Sequence, residues 1–421
     1  MNICFEAAAR MNGFSPQRFL LGLLPFLALL QGCKMPLLQE YIGERSKSIG
    51  FGSSIRVLVQ TRAGGDSLDL KLYKSIINEE IREFQRFNPD IKIYARFVPF
   101  DNLEREVGFQ YSRGLGPDLI LLTNNNALPL LRKKFIKDIS LNNGEMRSVR
   151  NTLLPSFRHN GKLLGIPVFI YPQLACYDRS RLKKPPESLD ELIRLSQGGY
   201  SFGIEKNIDT LQWLYSGLGY ALFEPKTQTS SLAFLRWLKL ANLQPTISFE
   251  SDPLLLRSGL ISGELSWITC SGSWLPSLKL RMGKNFGAVM LPNMPAGKAN
   301  PFLKPRTWFF GSQSSMRQHE LAKRFALFTV NTVQQRNTAL KMATAAPVNP
   351  GISLPLKTNK ILQLVNLAAG QGKLLTLGQA DWLYAMDTVL IPYLDLVLSG
   401  EQSPEAIAPT LDNLLEYRAI Q

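Results

Sequence analysis

The stretch Ile55-Arg-Val-Leu-Val-Gln60 is short, apolar and β-branched, and it runs directly into a turn-rich loop over residues 61–66. Such a run followed by glycines is typical of a buried strand that ends in a loop. The segment that follows carries an apolar stripe at helical spacing, formed by Tyr73, Ile77, Ile81 and Phe84. Asn88-Pro89 ends this helix, because proline removes a backbone donor. The sequence therefore predicts a strand, a loop and a long helix.

The same alternation continues downstream. Ile91–Val98 predicts a second strand, Glu104–Arg113 a polar helix, and Leu119–Leu122 a fully apolar third strand. A continuous apolar strand is typical of a parallel sheet that is covered on both faces. Strands alternating with helices therefore indicate an α/β fold. In such sheets the ligand crevice lies beyond the carboxyl ends of the strands.

Two loops fall at the predicted crevice, and their polar residues are candidate ligand contacts. Asp66 ends the loop after the first strand, and Asn124 and Asn125 follow the third strand. Asp and Asn are also ordinary turn formers, so this local pattern leaves both interpretations open.

The N-terminal region has the outline of an export signal. Arg18 precedes the apolar run Phe19–Leu30, and the sequence Leu30-Gln31-Gly32-Cys33 resembles a bacterial lipobox. The run is too short for a membrane-spanning helix, which needs about 20 apolar residues. We expect a signal peptide over residues 1–32, a lipidated Cys33 and a linker to residue 53. Either Met1 or Met11 serves as the start.

Composition narrows the function classes. The chain has 421 residues, 45% of them hydrophobic, which predicts a globular protein with two domains. Its net charge of +15 would suit nucleic acid, but export and scattered basic residues argue against that partner. With two histidines in the whole chain, we expect no metal site, no cofactor and no enzymatic activity. Cys176 and Cys270 either pair or stay as buried thiols.

Six segments, in this order along the chain, resemble the solute-binding proteins of ABC importers, specifically the sugar-binding group that includes the maltose-binding proteins. They are Glu83–Ile93, Gly116–Ile120, Asn160–Pro167, Cys176–Leu182, Gly263–Trp274 and Ala345–Asn349. Each motif is common, and the significance lies in their shared order and spacing.

The resemblance implies a two-lobe periplasmic-binding-protein-like fold of type II, each lobe a mostly parallel sheet flanked by helices. Residues 54–165 and 305–345 would form the first lobe, and residues 166–304 and 346–421 the second. A monomer of this kind captures a small solute, here a carbohydrate, and delivers it to the transmembrane subunits of an ABC permease. It would work outside the cytoplasmic membrane, tethered through its lipid.

Aromatic side chains are the expected sugar contacts, because a sugar offers apolar faces and a rim of hydroxyls. The resemblance places Ser273 and Trp274 at a strand-to-helix turn in the cleft, with Trp382, Trp308 and Tyr171 as further contacts. Each tryptophan could equally belong to the core. We expect Trp213, Trp237 and Trp267 to be core residues. Arg62 and Arg306 would lie near the cleft, either solvated or as a fork for an anion.

Two features leave the function open. The candidate loops hold few acidic residues apart from Asp66, whereas carbohydrate binders often carry several. A lipoprotein that senses a ligand and signals to a membrane partner is the alternative to transport. A secreted enzyme would need a carboxylate pair that the sequence does not mark.

Overall fold

The computed structural model describes residues 54–61, 67–219, 222–223, 230–295 and 297–415. The predicted signal peptide, Cys33 and the linker lie outside these ranges, as do Arg62 and Asp66.

The strands are β1 (Ser54–Thr61), β2 (Lys92–Pro99), β3 (Leu119–Thr123), β4 (Ile136–Lys137), β5 (Arg158–His159), β6 (Lys162–Leu163), β7 (Gly165–Tyr171), β8 (Gln173–Asp178), β9 (Phe202–Glu205), β10 (Ile247–Glu250), β11 (Trp267–Ser271), β12 (Phe286–Val289), β13 (Lys304–Gly311) and β14 (Ala346–Pro347).

The helices are α1 (Ser67–Phe87), α2 (Leu103–Ser112), α3 (Ala127–Arg132), α4 (Asn143–Met146), α5 (Leu189–Gln197), α6 (Ile208–Gly217), α7 (Leu232–Asn242), α8 (Pro253–Ser262), α9 (Leu275–Met282), α10 (Met316–Thr329), α11 (Thr332–Met342), α12 (Lys360–Gln371), α13 (Leu377–Leu398) and α14 (Pro404–Leu415). Short 3₁₀ turns follow β2, β3 and β11.

The first sheet has the strand order β14-β7-β13-β3-β1-β2, with β4 paired to β13. As predicted, β1 runs parallel to both β2 and β3. The four residues Leu119–Leu122 are fully buried, because helices cover both faces of this sheet. Along α1, Ile77, Ile81 and Phe84 are buried against the sheet, and the helix ends at Phe87, just before Asn88-Pro89.

The second sheet has the order β10-β9-β11-β8-β12. Strand β9 runs parallel to β10 and β11, whereas β8 is antiparallel to β11 and β12. Each sheet therefore has the expected parallel strands and also antiparallel ones. Most of the antiparallel pairs involve β8 in the second sheet and β13 in the first, strands that adjoin connections between the sheets. Cys176 in β8 and Cys270 in β11 form a disulfide across neighbouring strands, with their Cα atoms 5.8 Å apart.

The chain changes sheets at Pro172, between β7 of the first sheet and β8 of the second. The predicted boundary after residue 165 therefore falls at the start of a strand of the first sheet. The predicted boundary after residue 345 is also displaced, because β14 pairs with β7 and completes the same sheet. A strand that is hydrogen-bonded along one sheet belongs to that sheet, whichever lobe its neighbours in sequence join.

Helix α13 contacts elements of both sheets. It packs on α6 and α7, which flank the second sheet, and also on α3 and the turn Asn124–Asn126 of the first. Arg132 of α3 pairs with Asp381 at 2.8 Å, near the start of this helix. Lys206 pairs with Asp395 near its other end. No helix in the described part of the chain combines the length and apolar character that a membrane crossing requires.

Candidate functional site

A cavity of about 760 Å³ lies between the two sheets. Its walls come from segments that follow the carboxyl ends of strands in both sheets, where an α/β fold places its ligand crevice. Its volume is within the usual range of small-molecule sites. Five aromatic rings line it, those of Tyr73, Phe100, Tyr171, Phe302 and Tyr384.

Hydrogen bonds between neighbouring loops fix the first-sheet side of the cavity. The Gln60 side-chain oxygen accepts from the Thr123 backbone N–H at 2.9 Å, which joins the ends of β1 and β3. The Asn124 side-chain oxygen accepts from the Thr307 hydroxyl at 3.1 Å. Asn125 accepts from the Thr123 hydroxyl at 2.5 Å. These polar groups therefore have set positions at the cavity wall.

Arg306 of β13 lies on the same side and is 8% exposed. Its guanidinium donates to the Gln60 backbone carbonyl, to the Tyr73 hydroxyl at 2.9 Å and to the Leu121 carbonyl at 3.3 Å. Burial raises the pKa of Tyr73, and the adjacent Arg306 opposes that effect. Burial likewise raises the pKa of Tyr171, so both phenols are neutral hydrogen-bonding groups at ordinary pH.

On the second-sheet side, carboxylates receive donors from the protein itself. Asp209, after β9, pairs with Lys304 at 2.7 Å. Asp252, after β10, caps α8 by accepting from the Leu254 N–H at 2.9 Å, which satisfies a donor of the first helical turn. Ser273, after β11, donates its backbone N–H to the Ser271 hydroxyl at 3.3 Å.

Helix α13 supplies a third wall. Asp387 accepts from the Ile208 N–H at 2.8 Å, and burial is the main cause that raises the pKa of this carboxyl. The Tyr384 ring lies edge-on to Phe100, with 5.9 Å between the centroids. Tyr384 is 49% exposed, so one face of this aromatic pair is open to the cavity and solvent.

An ion pair joins the two lobes beside the cavity. Arg257 of α8 contacts Asp69 of α1 at 2.9 Å, and the Arg257 side chain is almost completely buried. The same guanidinium lies 5.6 Å from the Trp274 ring centroid and donates to the Ser277 hydroxyl. Trp274 therefore packs on Arg257, whose partner Asp69 lines the cavity, and the Trp274 ring itself is fully buried.

Among the described residues, the structure brings four of the predicted contacts to the cavity. Tyr171, Ser273, Asn124 and Asn125 line it.

Two predicted tryptophans are fully buried instead, and they are not among the lining residues. Trp308 donates its ring N–H to Thr329 at 3.0 Å and packs on Phe325, whereas Trp274 joins the core with Leu256 and Leu278. Trp382 is partly buried, packs edge-on against Phe223 and does not line the cavity. Trp213, Trp237 and Trp267 are core residues, as predicted. Asp66 lies outside the described residues.

The acidic residues of the cavity were missed by the sequence analysis. Its wall carries five aspartates, Asp69, Asp101, Asp209, Asp252 and Asp387. The expectation of a cleft poor in acidic groups is therefore wrong. Asp101, Asp209 and Asp252 each follow a strand end closely, after β2, β9 and β10. Applying the strand-end rule to every strand, rather than to β1 and β3 alone, would have found them.

A metal centre has no evident position in this region. The described residues contain no group of three or more His, Cys, Asp or Glu side chains arranged to hold a metal ion. The cavity groups are instead hydroxyls, amides, carboxylates, aromatic rings and the cationic side chains of Lys304 and Arg306, which suit a polar ligand rich in hydroxyls.

Comparison with solved structures relates this arrangement to known binding proteins, although no family model matches the chain. A cyclo/maltodextrin-binding protein, solved with maltotetraose, has a TM-score of 0.69 at 14% identity, over 86% of this chain and 96% of that one. The GacH receptor of Streptomyces glaucescens, solved unliganded and with acarbose, has a TM-score of 0.71 at 16% identity, over 86% of this chain and all of that one.

This chain has their two-lobe fold. At identities of 14% and 16% the likeness shows the fold alone. The fold is the type II, maltose-binding-protein-like arrangement that the sequence predicted.

Proposed function

We propose that this protein captures a carbohydrate between its two lobes. The observation that carries the proposal is the cavity between the sheets, where aromatic rings and polar side chains converge from both lobes. The proposed function is capture and release of the solute without any chemical change to it.

The cavity wall has the two kinds of group that a sugar needs. The rings of Tyr384 and Phe100 offer apolar faces for sugar C–H groups. Asp101, Asp252 and Asn125 offer oxygen acceptors for sugar hydroxyls at the ends of three strands. Tyrosine and phenylalanine thus take the stacking role that the sequence analysis gave to tryptophan.

The structural neighbours support this choice of solute. One was solved with maltotetraose and the other with acarbose. The shared fold makes a carbohydrate the first ligand class to test here.

The remaining parts of the proposal concern location and delivery. We propose export, lipid attachment at Cys33 and a linker over residues 33–53 that holds the monomer outside the cytoplasmic membrane. Its partner would be the transmembrane subunits of an ABC permease, which receive the solute when the lobes separate. The lipobox-like sequence Leu30–Cys33 supports attachment.

Thermal unfolding tests the capture step. The purified chain is melted with a panel of mono- and oligosaccharides, with amino acids and polyols as other solute classes. A sugar at 100 times its Kd should raise the unfolding free energy by about 2.7 kcal/mol. Tyr384→Ala should abolish that gain, whereas Tyr94→Ala, which removes an exposed tyrosine outside the cavity, should leave it unchanged. A panel in which no sugar shifts the transition would contradict carbohydrate capture.

Lipid attachment has a separate test. Cells that express the chain are fed a labelled fatty acid, and membrane and soluble fractions are compared. Label on the wild type and its loss in Cys33→Ala support the anchor. Unlabelled wild-type protein in the soluble fraction would contradict it and would leave the capture proposal standing.

A further inference from the structure

Two cationic side chains line the described cavity wall, and they differ in their partners: Lys304 pairs with Asp209, whereas Arg306 contacts neutral groups. All the acceptors around its guanidinium are neutral: the Gln60 carbonyl and side-chain oxygens, the Tyr73 hydroxyl and the Leu121 carbonyl. Within the described residues, Arg306 forms no ion pair. A buried charge that lacks an opposite charge is costly, so an anion from outside would be favoured beside it.

Three carboxyl groups, on the elements that carry Tyr73 or that contact Lys304, already have partners within the protein. Asp69 pairs with Arg257 at 2.9 Å, and Asp209 pairs with Lys304 at 2.7 Å. Glu80 follows Tyr73 on α1 after about two helical turns. Its side-chain oxygen accepts a hydrogen bond from the Thr338 hydroxyl at 3.0 Å. Burial raises the pKa of Glu80 to about 8, so this carboxyl is mostly protonated at neutral pH. None of the three cancels the charge of Arg306.

The other polar groups beside Arg306 are free to donate. The Tyr73 oxygen accepts from Arg306, which leaves the hydroxyl proton for another acceptor. The Asn124 side-chain oxygen accepts from Thr307, and the amide nitrogen of this 4% exposed residue has no hydrogen-bond partner among the residues that the structure describes. Tyr73, Asn124 and Arg306 all line the cavity. Their wall therefore offers positive charge and N–H or O–H donors to an incoming group.

We propose that the captured sugar carries a carboxylate, as a uronic acid does, and that this carboxylate binds at Arg306. The inference rests on the proposed carbohydrate capture and specifies its substrate class. Arginine and carboxylate have matching planar geometry and form strong, charge-assisted hydrogen bonds. A phosphate ester fits less well, because it carries up to two charges and the next cation, Lys304, already pairs with Asp209.

The remaining charges of the wall agree with this orientation. Asp252 caps a helix, Asp387 accepts from a backbone N–H, and Asp101 lies in the turn after β2. These carboxylates would receive the hydroxyls of the sugar and would repel its carboxylate. A uronic acid would then bind with its acidic end at Arg306 and its hydroxyls toward the aspartates.

A purely structural Arg306 would behave differently. Its bonds to the Gln60 and Leu121 carbonyls tie together the ends of β1 and β3, and this role alone predicts no preference among ligands. Matched pairs of sugars that differ by one carboxylate separate the two roles.

The experiment measures binding of the purified chain by calorimetry to such pairs: glucose and glucuronate, galactose and galacturonate, mannose and mannuronate, and their short oligomers. We expect at least one uronate to bind about tenfold or more tightly than its neutral partner, because a charge-assisted bond is gained. Added salt should weaken uronate binding only modestly, because a buried ion pair is screened less than an exposed one, and should leave neutral sugar binding nearly unchanged. Glucose 6-phosphate serves as the phosphate probe.

Two variants assign the preference to this wall. Arg306→Gln should make a uronate and its neutral partner bind with equal affinity. Tyr73→Phe should reduce the difference between their affinities without unfolding the protein. Arg158→Gln, which removes an exposed arginine that bonds to Gly161, is the matched control and should keep the preference. If Arg306→Gln does not fold, the test rests on the affinities of the wild type and of Tyr73→Phe for the same pairs of sugars.

The outcomes are distinguishable. Neutral sugars that bind as tightly as their uronates, or a preference that survives in Arg306→Gln, would overturn the inference and leave carbohydrate capture intact. Tighter binding of the phosphate probe than of every uronate would also overturn it. If no sugar of either kind binds, the proposed function itself fails, and this inference fails with it.

Discussion

The two sides of the cavity differ in how their charges are satisfied. On the first-sheet side, Arg306 has neutral partners, and the Asn124 amide nitrogen has no hydrogen-bond partner among the described residues. On the other side, Asp209, Asp252 and Asp387 receive donors from Lys304 or from backbone N–H groups. The aspartate side is therefore held by contacts within the protein, and the Arg306 side is where we propose that the ligand's carboxylate binds. The comparison predicts losses of stability on one side and losses of binding on the other.

The largest effect is expected at Trp274, behind the aspartate side. Trp274→Ala removes a fully buried ring and should lower the free energy of unfolding by about 3–5 kcal/mol, measured by urea unfolding. Tyr171→Phe at the cavity wall should change the free energy of unfolding of the unliganded protein by less than about 0.5 kcal/mol, because no described group accepts a hydrogen bond from the Tyr171 hydroxyl. Equal losses from both variants would remove the distinction between the two sides.

The ion pair between the lobes should show the next largest effect. Arg257→Met breaks a nearly buried contact with Asp69 and should cost about 2–4 kcal/mol of unfolding free energy, because a carboxylate then loses its partner cation. The control is Arg236→Met in the exposed pair with Glu405, where we expect less than about 1 kcal/mol. A loss at Arg257 no larger than that of the control would mean that the pair does not stabilise the fold.

The smallest effect concerns the pH dependence of stability on the Arg306 side. The pKa of Glu80 is about 8 in the folded protein and about 4.5 ordinarily, so the folded state holds a proton that the unfolded state releases between these values. Stability should therefore fall as the pH rises from about 4.5 to about 8.

Glu80→Gln tests this sign. The amide keeps an acceptor for Thr338 and cannot ionise, so the stability of the variant should fall less as the pH rises. Near pH 8 its free energy of unfolding should exceed that of the wild type by about 1–3 kcal/mol. Thermal unfolding across the pH range measures it. Glu187→Gln, at an exposed carboxylate of the other lobe that pairs with Lys184, is the control. A wild type whose stability rises over this range would contradict the assignment.

The sequence predicts the fold better than it predicts the site, for physical reasons. Buried strands such as Leu119–Leu122 and the stripe on α1 depend on local apolar patterns, which a single sequence displays. The division between lobes was misplaced around β7 and β14, because strand pairing depends on residues far apart in the chain.

The site residues show the same limit. Asn124 and Asn125 line the cavity and were predicted from the strand-end rule, which is local, whereas Ser273 and Tyr171 were predicted from the family resemblance. Trp274 and Trp308 are of a residue type that suits sugar stacking, but tertiary packing buries both rings completely. The role of Arg306 depends on the carboxylates around it, and these are brought together by α1, α8 and β13.

The Cys176–Cys270 disulfide has a consequence for movement between the lobes. Both cysteines belong to strands of the second sheet that already pair with each other, so the covalent link closes a loop of 94 residues within that sheet. The bond does not connect the two sheets. Formation of the disulfide would thus restrict unfolding of one half of the molecule and place no covalent limit on separation of the two halves, the movement that the proposed capture and release of a solute requires.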